Sequence, residues 1–400
     1  MKQRLNIFVV HPSDMLTDHL PHGAGWIVYN YLKGLTERGH TVHVAVPRVE
    51  MRGPVPPGMH LHVISRNAGS AGLGRLAYMW AVRSLLTRLS TSVRFDIAQQ
   101  FTPVETGLSL GVLGTGIPLV LGPYSGFWPS DADGPPRRTS LLIRLKVGVR
   151  DSIAYVQQRQ ARALVITCPA AVERIRSRGA RDTRVHVIGH GIDSEGYAAR
   201  ERLPDAPSIL FLANLEYRKG IFTLLEAFDR LATRVPKCTL EVWGTGSEAA
   251  AVDRRIEQSA FKERIHRRGH APREHVSEIM RSHSVYCMPS HGEPFGMTLL
   301  EAMASAVPVV TTDRGGPPHI LREEGGRVVP MRDAGRLADA LVEIVSNIDL
   351  QRSMGVFNRR RIEEEFDWSR SLDRMESVYE RVLSQQAGPP ARDTAREVSV

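Results

Sequence analysis

Three cysteines in 400 residues are too few and too scattered for a disulfide framework or a zinc site. Cys168, Cys238 and Cys287 each lie inside an apolar run, which reads as buried free thiols and points to a reducing compartment. No apolar run reaches the ~18 residues of a membrane-spanning helix, so a spanning segment is not expected. The opening stretch 1–10 is apolar from Ile7, but His11 and Pro12 cut it and no small-residue cleavage site follows. It reads as a first strand, not a signal peptide. Acidic pairs with metal-ligand spacing are also missing. Asp131-Ala-Asp133 sits in a Pro/Gly-rich loop and reads as solvated, so no metal is expected. No groove-reading motif or base-stacking array accompanies the positive charge, which argues against nucleic acid.

What is present is an ordinary globular composition, 42% hydrophobic and 24% charged, in a chain long enough for two or three domains. The net charge of +9 is unevenly placed. Residues 1–200 hold 24 Lys and Arg against 13 Asp and Glu, whereas residues 201–400 hold 28 against 30. The densest basic segment, 137–162, interleaves Arg137, Arg138, Arg144, Lys146, Arg150, Arg159 and Arg162 with Leu, Ile and Val. Such a segment suits a solvated helix face, or contact with an anionic membrane surface or an acidic acceptor.

Strand-like runs alternate with helical ones throughout. A first series falls at 5–10, 41–46, 60–64, 97–100, 118–121, 164–167 and 185–188. A second falls at 208–212, 239–243, 265–268, 285–288, 307–311 and 326–329. Runs apolar on both faces predict parallel sheets covered on both sides, hence an α/β protein of two doubly wound Rossmann-like domains in tandem. The stretch 189–207 carries Gly, Pro and charge with little periodicity and marks the linker. A late amphipathic helix over 366–383 aligns Trp368, Leu372, Met375, Val378, Tyr379 and Val382 along one side. The polar residues 385–400 read as a disordered tail.

The most informative stretch is Glu293-Pro-Phe-Gly-Met-Thr-Leu-Leu-Glu301, which places two carboxylates about a strand-to-helix turn. Gly296 permits close approach of a ligand to the backbone. The amides of Met297, Thr298 and Leu299 would open a helix with no partner, backed by the helix dipole. That combination makes an anion site. Glu301, one turn into the helix, suits the two hydroxyls of a ribose, and Glu293, just before it, reaches the group beyond the phosphates. The plainer alternative is a helix whose Glu301 decorates its surface and whose Glu293 caps its start. Two further loops follow strands: Pro21-His-Gly23-Ala-Gly25 in the first half, and 213–220 in the second, where Lys219 opposes the dipole of the helix it precedes. Lys219 suits a diphosphate; a solvated lysine is the alternative, as a plain tight turn is for the glycines.

The run from Glu293 to Glu301, continuing Ala-Met-Ala-Ser-Ala-Val-Pro-Val-Val310 and then Thr-Thr-Asp-Arg-Gly315-Gly316, resembles the Glu-x7-Glu signature of retaining GT-B glycosyltransferases of the family 4 type. The likeness extends over residues 1–383 and is strongest over 209–330. It implies a GT-B fold: residues 1–195 as the acceptor domain, 205–365 as the nucleotide-sugar domain, and helix 366–384 crossing back to the first. It implies transfer of a hexose-type sugar from a UDP or GDP donor to a polar acceptor, with retention of configuration and without a cofactor. Lys219 would neutralise the diphosphate and Glu293 hold the hexose. Gly25, Asn214, Arg218, Gly244, Gly296, Met297, Thr298, Leu299 and Glu301 would line the rest of the donor site, with the base near Gly269 and His270. His22, Pro123 and Ser125 would face the acceptor, and His11 and His19 are further candidates, against ordinary packing histidines. The protein would be cytoplasmic, or peripheral at the inner face of the membrane through 137–162.

Three positions depart from that pattern. Asn214 stands where the family commonly has an arginine, Gly122-Pro123 where many members carry a histidine near the reacting sugar, and Ala24 separates glycines that are usually adjacent. These motivate an alternative: a catalytically weak sugar-nucleotide-binding partner subunit. Epimerases and phosphorylases of the same architecture lack this spacing of glutamates.

Overall fold

The computed structural model describes residues 3–11, 15–20, 23–64, 73–101, 108–124, 152–177 and 184–385. His22, Ser125, Asp131, Asp133, the basic segment up to residue 151 and the tail from 386 lie outside the described residues.

The first lobe carries strands β1 (Asn6–Val10), β2 (Met15–Thr17), β3 (Thr41–Val46), β4 (Arg48–Glu50), β5 (Met59–Val63), β6 (Ile97–Gln100), β7 (Leu119–Tyr124), β8 (Ala163–Ile166) and β9 (Val185–Val187). Its helices are α1 (Gly23–Glu37), α2 (Leu73–Leu89), α3 over 152–160, and α4 (Val172–Ser177). Seven strands form one parallel sheet in the order β5-β3-β1-β6-β7-β8-β9. The strands β1, β3, β6, β7 and β8 are buried because alternate side chains feed two apolar layers. Ile7 and Val9 pack on one face with Tyr31, Leu32 and Leu35 of α1; Phe8 and Val10 pack on the other with Tyr78 and Val82 of α2. A separate parallel pair, β2 with β4, was not expected from the sequence: two three-residue segments are too short to show a period.

The second lobe carries β10 (Ser208–Leu212), β11 (Thr239–Trp243), β12 (Ile265–Gly269), β13 (Val285–Met288), β14 (Val309–Thr312) and β15 (Gly326–Val329). Between and after them run α5 (Ile221–Arg234), α6 (Ala249–Glu257), α7 (Val276–Arg281), α8 (Met297–Ala304), α9 (Pro317–Ile320), α10 (Ala334–Val345), α11 (Ile348–Arg361) and α12 (Trp368–Ser384). The sheet is parallel in the order β12-β11-β10-β13-β14-β15. Relative to chain order this reverses at β10, the switch point beyond whose carboxyl end a Rossmann-like sheet offers its crevice. Helix α5 shows why the layers cohere: Ile221, Leu224, Leu225, Phe228, Leu231 and Ala232 repeat every three or four residues, and all are buried against the sheet.

After α11 the chain makes a π turn over Ile362–Phe366 and enters α12, whose first turn is capped by the Asp367 carboxylate accepting from the Ser369 amide at 2.9 Å. Leu372, Met375, Val378, Tyr379 and Val382 of α12 lie in the first lobe's core, not the second's. Gly34 of α1 allows that contact, since a Cβ there would meet Leu372 Cδ1 at 2.3 Å. Arg38 donates to Asp373 and Glu376 at 2.7 Å each, and the His40 ring meets Glu376 at 2.9 Å, so charge fixes the register of the same interface.

Candidate functional site: the carboxyl edge of the second sheet

The loops after β10 and β13 leave the sheet on either side of its switch point. Each carries one of the groups singled out in the sequence. Lys219 Nζ donates to Glu293 Oε2 at 2.5 Å, and both side chains are about one-sixth exposed, at 16% and 14%. Two residues 74 apart in the chain therefore meet at the edge where the fold exposes backbone ends. Lys219 closes a short turn that ends at Gly220, whose φ of +73° lets the chain pass under the Pro289 carbonyl; a Cβ would lie 1.8 Å from that oxygen.

The Glu293-Pro294-Phe295 turn is pinned from three sides. Gly315 pairs with Glu293, the Gly316 amide donates to the Glu293 carbonyl at 2.8 Å, and Cys168 Sγ donates to the Pro294 carbonyl at 3.3 Å. Phe295 is buried against Gly189 and the edge of the His190 ring, 4.9 Å between centroids. Gly296 then caps α8 with φ of +101°. The expected trio of open amides is reduced to two. The left-handed Gly296 turns its carbonyl to accept from Leu299 at 3.0 Å and Leu300 at 3.3 Å, so the Leu299 amide is occupied by the helix itself. Among the described residues, the amides of Met297 and Thr298 have no hydrogen-bond partner. The Thr298 hydroxyl turns inward to the buried Tyr286 hydroxyl at 2.8 Å.

Glu301 is buried, with 8% of its surface exposed, which removes the reading of a surface decoration. Its Oε1 accepts from the Tyr197 hydroxyl at 2.9 Å and lies 3.9 Å from Arg273 Nη1, while Oε2 has no hydrogen-bond partner among the described residues. Burial pushes this carboxyl above the ordinary carboxylate range; the Arg273 charge and the Tyr197 hydrogen bond pull the other way. Tyr197 and Arg273 carry no sequence signal: one sits in the linker, the other in a short turn, and only folding brings them to Glu301.

The remaining candidates fall at various distances from this centre. Gly244 follows β11 with φ of +140°, required because a Cβ would meet the Ala213 carbonyl oxygen at 1.9 Å. Gly269 ends β12 with φ of +73° and open space about it, and His270 beyond it is exposed. Asn214 is exposed at the end of β10. The Arg218 guanidinium, next to Lys219 in the chain, donates to Glu216 at 2.7 Å. In the first lobe, Gly25 sits in the first turn of α1, where a Cβ would lie 2.0 Å from the Met15 carbonyl; packing against β2 accounts for it. Pro123 is buried within β7, which runs three residues further than the sequence predicts. His11 follows the first-lobe strand β1, fully buried, with neither ring nitrogen partnered among the described residues, and burial lowers its pKa to about 4. His19 pairs with Asp18 at 2.8 Å. Among the described residues no cluster of three or more His, Cys, Asp or Glu side chains could hold a metal. No helix there is long and apolar enough to cross a membrane.

The two parallel-sheet lobes, the switch-point loops and the paired glutamates define a GT-B glycosyltransferase architecture, and comparison with known proteins agrees. Residues 21–195 match the model of Glycosyltransferase Family 4, and residues 193–361 match that of Glycosyl transferases group 1. The chain belongs to this group 1, family 4 type of glycosyltransferase. It is 30% identical over 224 residues to a glycogen synthase of Mycobacterium tuberculosis, a match covering 54% of this chain and 53% of that protein. It is 33% identical over 204 residues to a phosphatidyl-myo-inositol mannosyltransferase of Mycobacterium leprae, covering 49% and 54%. The chain thus spans about half the length of the curated relatives it matches. Its fold is shared with sucrose-phosphate synthase from Thermosynechococcus elongatus, with a TM-score of 0.74 at 18% identity over 95% of this chain and 100% of that one. It is shared also with Anabaena HepE in complex with UDP, with a TM-score of 0.72 at 15% identity over 94% and 100%.

Proposed function

We propose that this protein transfers a hexose-type sugar from a nucleoside-diphosphate donor, of the UDP or GDP type, to a polar acceptor with retention of anomeric configuration. The observation that carries the proposal is the Lys219–Glu293 contact at 2.5 Å beside the open end of α8. In a nucleotide sugar, the distal phosphate and the hexose are adjacent groups; here an ammonium for the one and a carboxylate for the hydroxyls of the other are adjacent too. The Met297 and Thr298 amides face the same diphosphate, and Glu301 accepts from the ribose. As the glycosidic bond breaks, negative charge grows on the departing diphosphate, and Lys219 and the helix end stabilise it. A donor phosphate oxygen takes the acceptor proton, so no side-chain nucleophile is needed. The protein supplies orientation and charge.

Glycogen synthase and an inositol-lipid mannosyltransferase among the relatives keep both glycan and lipid-linked acceptors within this reading. Action in the cytoplasm, with segment 137–162 resting on an anionic inner-membrane surface, fits the charge pattern. No metal is required where an ammonium and a helix terminus share the charge.

Incubation with a panel of nucleotide sugars, followed by NMR assignment of the product anomer, tests the reading. Donor configuration should be kept, EDTA should leave the rate unchanged, and Lys219→Ala and Glu293→Gln should each lower kcat by about 10²–10³. An inverted product, or full activity in both variants, would overturn it. A second reading, a partner subunit that binds sugar nucleotide with little turnover, draws on exposed Asn214 and on the Arg218–Glu216 pair, which leaves the family's second cation unreplaced. Single-turnover transfer above background rejects that alternative.

A further inference from the structure

We infer that Trp26 and Arg273 form an interlobe positioning pair that keeps Glu301 open to the donor, an inference that rests on the reading of Glu301 as the ribose carboxylate. Arg273 leaves the short turn after β12 in the second lobe, and its guanidinium carbon stands 3.9 Å from the centroid of the Trp26 ring, on α1 of the first lobe. The same guanidinium lies 3.9 Å from Glu301 Oε1, longer than a hydrogen-bonded ion pair. Arg273 is therefore held on the ring face and not forked onto the carboxylate. Tyr197 satisfies Oε1 at 2.9 Å, which leaves Oε2 for the ligand.

Remove the ring and the balance changes. A half-buried arginine next to a buried carboxylate gains most by closing into a bidentate pair, with two parallel N–H to O contacts that occupy both oxygens. The site that should take a ribose diol would then be filled by the protein's own guanidinium. The ring holds its own position through an aromatic chain: Trp26 meets Trp368 edge-on at 6.5 Å, and Trp368 meets Tyr31 at 4.9 Å. Trp368 opens α12, the element that returns the chain to the first lobe, and it packs under Gly191, where a Cβ would lie 2.7 Å from it. Donor readiness in the second lobe is in this way tied to the seating of the first. Trp26 touches neither reacting group; it is a positioning residue acting through Arg273.

The test is a mutational cycle read as the dissociation constant for UDP and GDP by calorimetry, with melting temperatures confirming the fold. Trp26→Ala should weaken the preferred nucleotide about tenfold, and Trp26→Phe, which keeps a π face, by less than about threefold. Adding Arg273→Gln to Trp26→Ala should restore affinity to within about threefold of the unmodified protein, because the competitor is gone. A merely structural tryptophan would show no such rescue. Trp26→Leu, which keeps apolar volume against Trp368 without a π face, carries the same comparison where the alanine variant does not fold. Glu301→Gln separates the two levels. If it weakens nucleotide binding while the Trp26 variants are silent or unrescued, the positioning pair is wrong and the donor reading stands. If Glu301→Gln leaves both nucleotides bound as tightly as before, the donor reading falls.

Discussion

At the scale of single residues, Glu301 combines two demands that pull apart. A ribose diol calls for an ionised carboxylate, yet burial raises its pKa, and the Arg273 charge and the Tyr197 hydrogen bond offset only part of that rise. The consequence for binding is a pH dependence. Donor affinity should fall on acidification as Glu301 protonates, beginning at a higher pH than for a solvent-exposed glutamate, and Glu301→Gln should flatten that dependence. The consequence for stability has the opposite sense. A carboxyl whose folded pKa is raised binds protons in the native state that the unfolded state has released, so its contribution is lost as pH rises through that window. Glu301→Gln should therefore bind donor more weakly and yet melt higher at neutral pH, as calorimetry can show. The sequence placed Glu301 on the helix and left its exposure open; Tyr197, 104 residues away, decides it.

At the scale of elements, the turns that end the strands are specified by backbone space, and they differ in kind. Gly220 combines φ of +73° with a Cβ direction aimed 1.8 Å from the Pro289 carbonyl oxygen, while Gly269 has the same φ and open space. Gly269→Ala should cost about 1–2 kcal/mol, the left-handed penalty alone. Gly220→Ala should cost more than about 3 kcal/mol, because the two loops flanking the switch point must separate. Equilibrium urea unfolding distinguishes the two, and equal losses would mean that the Pro289 contact is not tight. Elements were legible wherever period and punctuation agreed: helices follow the loop at 213–220 and Gly296 as expected, and β3, β6, β10, β11, β13 and β15 occupy the predicted spans. β2 and β4 were not legible, since three residues carry no period, and β7 outran its prediction because Gly122 and Pro123 read as breakers in isolation.

At the scale of the whole molecule, two sheets share one chain through α12, and the two lobes differ in charge and in histidine. Among the buried imidazoles, three that burial shifts well below the ordinary histidine value belong to the first lobe or its exit: His11 just after β1, His43 in β3, and His190 in the linker. Burial lowers the first two to about 4 and His190 to about 3; at His43 the neighbouring His60 and His62 add to it. Each imidazole is neutral in the fold and binds a proton more readily when unfolded. Their contribution is fully present above about pH 6.5, the ordinary histidine value, and is lost progressively as pH falls toward 4. The first lobe should consequently melt earlier than the second between pH 6.5 and 4.5, and His43→Gln should lessen that separation in scanning calorimetry. Lobes that shift together by equal amounts would contradict it.

Periodicity along the chain determined the two tandem parallel-sheet domains, and the resemblance of the run from Glu293 to Gly316 to a known signature pointed to the family, because strand burial and local turns are written in residues close together in the chain. Only the tertiary structure decided what those groups are available to do. It showed Lys219 held by Glu293, the Leu299 amide taken by Gly296, and Glu301 buried between Tyr197 and Arg273 with Trp26 opposite. The physical reason is that burial, ion pairing and free lone pairs depend on neighbours brought together from distant parts of the chain, and no local pattern encodes them.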